Sequence, residues 1–88
     1  MRAGAGVMTL KELVDRYREH AGGYGRPLAL AELGLPKKEL ERELSAFDED
    51  YQISRFFRFT REPAAESYTI NGFEYSHLVI LPEIEEIL

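Results

Sequence analysis

"AELGLPKKELERELSAFDED", residues 31–50, decides how the rest of this chain is read. Gly34 interrupts an apolar stretch at the point where a helix closes in the left-handed conformation. Pro36 two residues later suits the first turn of a new helix, where its missing N–H costs nothing. Beyond it Leu40, Leu44, Phe47 and Tyr51 recur at i, i+4, i+7 and i+11, which places all four on one side of a helix. The spacing therefore predicts a short helix over 29–33 and a longer one from Pro36 to Asp50. The stretch holds seven acidic residues against three basic ones. Its "DED" falls at the C-terminal end, where the helix dipole favours cations.

Upstream, "TLKE" carries the signature of a capping box. Thr9 can accept the amide three residues on while Glu12 reaches back, and Leu10, Leu13, Val14, Tyr17 and Ala21 follow at helical spacing. The glycines of "GGYG", followed by Pro27, end that helix. Residues 1–8 lack periodicity and are expected to form a disordered leader to a single domain over 9–88.

Downstream the composition turns β-branched and aromatic. "QISRFFRFTR" reads as a strand, "EPAAE" as a loop, "SYTI" as a second strand and "FEYSHLVIL" as a third. Between the last two, Asn71-Gly72 supplies the two positive φ values of a type I′ hairpin turn. "PEIEEIL" predicts a short final helix begun by Pro82, with Ile84, Ile87 and Leu88 on one side.

The pattern from Ala31 to Ile53, a turn glycine followed by spaced apolar residues, and the order helix, short helix, turn, helix, sheet resemble the winged-helix class of helix-turn-helix domains. The resemblance implies a small α+β domain in which two to three N-terminal helices precede an antiparallel two- or three-stranded sheet. It makes Leu40, Leu44 and Phe47 the core face of the recognition helix. It also makes Lys37, Lys38 and Arg42 on that helix, with Arg58 and Arg61 near the wing "REPAAES", candidates for contact with DNA.

Composition bounds the function. Eighty-eight residues with 44% apolar content suffice for one core. The longest apolar run, "HLVILP", is far short of the roughly 20 residues of a membrane span, and the N-terminus lacks the apolar stretch of a signal peptide. No cysteine is present, so neither a disulfide framework nor a thiolate metal site can form, and a cytoplasmic location is expected. A single Asn, a single Gln and 31% charged residues give a thermophile-like composition. The net charge of −5 opposes the general attraction to phosphate that underlies nucleic-acid affinity.

Site chemistry is sparse. His20 and His77, the only histidines, lack metal-ligand spacing, and no metal or other cofactor is expected. Ser76 and His77 are neighbours in a strand and so point to opposite faces, which argues against a nucleophile and base acting together. "GGYGR" fits neither common phosphate-binding glycine pattern. On the long helix Lys38, Arg42, Ser45 and Glu49 form the outward stripe, and glutamates flank the bases. In an extended "SRFFRFTR" segment Arg55 and Arg61 share a side and Arg58 takes the other, while phenylalanines fall on both faces. Covering both faces calls for more apolar surface than the helices present, so either a second chain supplies it or the C-terminal tail folds back over its own sheet. The expectation is a non-enzymatic protein-interaction module acting as a homodimer, with Ile84, Ile87 and Leu88 in self-association. The alternative is a DNA-binding regulator using the helix at 36–50 and the wing at 55–68. A small-molecule sensor would need an apolar pocket, for which Tyr75 and His77 are the only hints.

Overall fold

The structure, a computed structural model, describes residues 8–88. The expected leader over 1–8 lies outside the described residues except for Met8, which packs half-buried against the core. Helix α1 spans Leu10–Ala21. Its capping box is complete: the Glu12 amide donates to Thr9 Oγ1 at 3.0 Å, and the Thr9 amide donates to Glu12 Oε1 at 2.8 Å. Leu10, Leu13, Val14 and Tyr17 are buried. At the other end the Gly22 amide bonds to the Arg18 carbonyl at 2.9 Å, and the chain turns away.

Strand β1, Leu28–Ala29, is too short to carry a period-2 pattern and escapes a reading by alternation. It runs into a single 3-10 turn at Leu30–Leu33, which Gly34 closes with φ 73°. Helix α2 follows at Lys37–Tyr51, with Leu40, Leu44 and Phe47 buried as their spacing predicts.

The predicted first strand begins later than expected. Gln52 ends α2 in the left-handed region at φ 54°, and Ile53–Arg55 make another 3-10 turn before strand β2, Phe57–Thr60. Phe56 caps that turn, so the burial of both Phe56 and Phe57 follows from a change of backbone geometry between them. It does not mark a strand covered on both faces. The need for a second chain to cover the sheet falls with it.

The predicted third strand is two strands. Tyr68–Ile70 (β3) pairs with Phe73–Tyr75 (β4) as a hairpin. His77–Ile80 (β5) instead lies between β1 and β2 in an antiparallel sheet of order β1-β5-β2. Ile70 faces Phe73 across Asn71 and Gly72, whose φ values are 50° and 87°, as a two-residue turn with twist matched to its strands requires.

The switch between sheets is Ser76, 1% exposed and the one buried polar residue among those described. Its amide bonds to the Thr60 carbonyl at 2.8 Å, although His77 is the residue in register with Thr60. Two residues thus address one, as in a β-bulge, and the strand bends there. Its carbonyl accepts the Leu30 amide at 2.8 Å and its hydroxyl the Glu62 amide at 2.7 Å. The side chain thereby takes up an amide at the point where the regular ladder is interrupted.

One apolar core joins these parts: α1, the 3-10 turns, α2, both sheets and the final 3-10 turn at Pro82–Ile87 all contribute to it. Buried Tyr17 pins the connection into β1, its hydroxyl donating to the Arg26 carbonyl and accepting the Arg26 amide.

Candidate functional site

Helix α2 is where a DNA-reading surface is expected, and its sides differ. Leu40, Leu44 and Phe47 face the core. About a quarter-turn away, at the helical spacing i, i+4, i+7, lie Glu41, Ser45 and Asp48. The hairpin lies against this second side. Glu41 Oε2 accepts the Thr69 amide at 2.7 Å, Ser45 Oγ accepts the Asn71 amide at 3.1 Å, and Asp48 Oδ2 accepts Asn71 Nδ2 at 2.8 Å. Tyr68 and Ile70 are buried beneath these bonds. Two acidic residues of this helix therefore have a local use: Glu41 satisfies an amide on the outer edge of β3, which has no strand partner on that side, and Asp48 holds the side chain of the turn residue Asn71.

The hairpin also claims one of the candidate bases. Lys37 Nζ sits 5.4 Å from the centre of the Tyr68 ring and 3.7 Å from Glu66 Oε2. Burial pushes the Tyr68 phenol above its ordinary pKa, and the charges of Glu66 and Glu41 push the same way. Arg61 pairs with Glu74 at 3.6 Å. Arg58 donates to the carbonyls of Ser54 and Phe57, both at 3.0 Å. Lys38 and Arg42 remain exposed, and neither joins an ion pair among the described residues. Of the outward stripe, Lys38, Arg42 and Glu49 are exposed while Ser45 is half-buried under the hairpin. The five predicted bases are thus divided: Lys38 and Arg42 are exposed on α2, Arg58 is engaged by two carbonyls, and Lys37 and Arg61 are held in ion pairs.

The chain end departs from the expectation in a different way. Ile84, read with Ile87 and Leu88 as a self-associating side, is fully buried in the chain's own core. Ile87 and Leu88 are 38% and 42% exposed. The final turn is held by Glu85, which accepts the Tyr24 hydroxyl and lies 3.8 Å from Arg18. Arg18 in turn covers the Tyr24 ring at 4.8 Å. Burial and the bond to Glu85 push the Tyr24 pKa up to about 12.

Ser76 and His77 overturn the argument from strand alternation, because Ser76 Oγ lies 2.8 Å from His77 Nδ1. The bend at Ser76 breaks the alternation that would separate them. The Ser76 oxygen accepts the Glu62 amide and also meets His77 Nδ1, the hydroxyl donating or accepting there according to the His77 tautomer. The hydroxyl is buried, and a substrate carbonyl would need open space in front of it. The contact fits a structural clasp on the bend.

Phe59, Ile70, Phe73 and Tyr75, with Asp48, Ser54 and Asn71, line a cleft of about 200 Å³. This is below the roughly 300–1,000 Å³ typical of small-molecule sites. Of the two hints for a sensor pocket, Tyr75 lies on this cleft and His77 does not. The sequence reading missed Phe59 as the stacking partner of Tyr75, because the two strands that carry them belong to different sheets joined at Ser76. No group of three or more His, Asp or Glu side chains among the described residues is arranged to hold a metal ion. No described helix is long and apolar enough to cross a membrane.

Helix α1, the short strand β1 and helix α2, followed by strands that complete two small antiparallel sheets, make a small α+β domain consistent with the winged-helix-like class. Comparison of the chain with protein-family models, curated proteins and solved structures gave no match.

Proposed function

We propose that this domain is a non-enzymatic protein-interaction module that works in the cytoplasm and associates with a second copy of itself. The observation that carries the interaction reading is the hairpin on α2. A helix of this class that reads DNA must bring one side into the major groove, and the hairpin already occupies Glu41, Ser45 and Asp48 on the side adjoining the outward stripe. The net charge of −5 adds a general repulsion from phosphate. Exposed Ile87 and Leu88 at the chain end, together with Tyr51 and Phe73, favour protein contacts. Self-association through Ile87 and Leu88 needs no rearrangement of the core, whereas Ile84 is taken up in it.

A second reading, a DNA-binding regulator, is favoured by Lys38 and Arg42. They are exposed, four residues apart and outside every ion pair formed by the described residues, as phosphate or guanine contacts would require. Fluorescence anisotropy of labelled random-sequence duplex DNA at low and moderate salt, with the protein's mass measured in the same buffers, separates the two. The interaction module gives a dimer mass and no anisotropy rise at low salt. DNA binding that weakens steeply with salt, and that falls when Lys38 and Arg42 are changed to Ala, establishes the regulator instead.

A further inference from the structure

The cleft beside the hairpin has a composition that selects its occupant. Phe59 and Tyr75 stack with ring centres 5.0 Å apart and planes inclined by 26°. Phe73, two residues from Tyr75 on the same side of β4, is 66% exposed. One exposed aromatic needs no explanation, but three rings around one concavity form an apolar patch. Asp48 and Asn71 stand with them at its wall.

Charge complements that patch. Helix α2 ends in Asp48, Glu49, Asp50 and Tyr51, with no basic residue in its last turn. The carboxylates and the negative end of the helix dipole act in the same direction and raise each other's cost. None of the three carboxylates has an ion-pair partner among the described residues. Arg58, the one basic residue of β2, is engaged by the carbonyls of Ser54 and Phe57. The aromatic faces, with their negative quadrupole, add to the same attraction for a cation.

We propose that the cleft receives an arginine side chain of a partner protein, its guanidinium stacked on the Phe73–Tyr75 wall and directed toward Asp48. Arginine fits better than lysine because the guanidinium is planar, weakly hydrated and able to stack on a ring while its edge donates to a carboxylate. Asp48 has lone pairs beyond the one that accepts Asn71 Nδ2. The inference rests on the reading of the domain as a protein-interaction module and names the chemistry of what it binds.

The test is a 15N–1H NMR titration of the full chain with the peptide Ac-Gly-Leu-Arg-Leu-Gly-NH2. Its counterpart with citrulline in place of arginine keeps the shape and removes the charge. The expected result is a saturable set of shifts centred on Asp48, Phe59, Phe73 and Tyr75, with the citrulline peptide weaker by about tenfold. Phe73→Ala and Asp48→Asn each weaken the arginine peptide several-fold while the spectrum stays dispersed; Phe73 is exposed enough for its removal to leave the fold intact. Three outcomes overturn the inference: no saturable shifts, equal binding of the two peptides, or shifts on another surface. Shifts at these same residues when the protein is concentrated alone also overturn it, by making a second copy the occupant. Mass measurements on the same samples report separately on self-association, so a monomer that binds the arginine peptide and a dimer that does not are distinct results.

Discussion

Replacing Ser76 by Ala tests whether one hydroxyl fixes the point at which the chain passes from hairpin to sheet. The side chain is 1% exposed and makes two hydrogen bonds, accepting the Glu62 amide at 2.7 Å and contacting His77 Nδ1 at 2.8 Å. Each bond of this kind contributes about 1 kcal/mol net, and a partner left unsatisfied in a buried site costs about 1–3 kcal/mol. Glu62 and His77 are not fully buried, so water can recover part of the loss and the lower end applies. The sum is about 2 kcal/mol. For a domain of this size that corresponds to a fall in Tm of about 8–16 °C. The assay is urea unfolding followed by circular dichroism, analysed as a two-state transition, on the wild type and on Ser76→Ala, His77→Ala and the double variant. The double-mutant cycle isolates the Ser76–His77 pair, for which a coupling of about 1 kcal/mol is expected. A loss below about 0.5 kcal/mol for Ser76→Ala, the range of ordinary surface substitutions, would show that the hydroxyl does not fix the bend. It would mean that the backbone bonds of Ser76 to Thr60 and Leu30 hold the bend without the side chain.

Four further outcomes are expected. Ile84→Ala destabilises the fold by about 2–5 kcal/mol as a core truncation, whereas Ile87→Ser leaves unfolding nearly unchanged and lowers the dimer fraction seen by sedimentation. Asn71→Ala loses about 1 kcal/mol or more in chemical unfolding, because it gives up both a left-handed residue that suits the turn and the bond to Asp48. Thr9→Ala costs about 1 kcal/mol through the lost cap, read as a lower unfolding midpoint. The phenol of Tyr24 is expected to titrate at about 12, against 10.0 for a free tyrosine. Because its folded pKa is raised, the stability it contributes is complete below pH 10 and is lost as pH climbs through 12. The absorbance at 295 nm that is lost in Tyr24→Phe rises well above pH 10 if the contact with Glu85 is as described, and near pH 10 if it is not.

The helices were legible because their signals are local. The capping box at Thr9, the cap at Gly34 and the stripe of Leu40, Leu44 and Phe47 each depend on residues within a few positions of one another, and all reappear in the fold. Asn71-Gly72 was legible for the same reason. What alternation could not reveal was where a strand changes partners. "FEYSHLVIL" reads as one run, yet the bond that splits it joins Ser76 to Glu62 across a separation of 14 residues. The β2 start was displaced similarly, by a left-handed Gln52 that no turn residue announces. Charges of the candidate site were legible as composition only. That Lys37, Arg58 and Arg61 are engaged by Glu66, two carbonyls and Glu74 depends on the path of the hairpin, and so does the use of Asp48, which at the end of a helix had no evident purpose in the sequence.

The bend at Ser76 also bears on what binding would cost. Because β4 continues directly into β5, the middle strand of its sheet, the hairpin is anchored at one end to the centre of the domain and along β3 to α2. It has little freedom to swing as a flap. The walls of the cleft between them are therefore preorganised: a side chain entering it surrenders its own rotational freedom but asks the domain to surrender almost none. Affinity at such a surface is governed chiefly by the stiffness of the incoming segment, and a partner that presents its arginine from a helix or a constrained loop gains most.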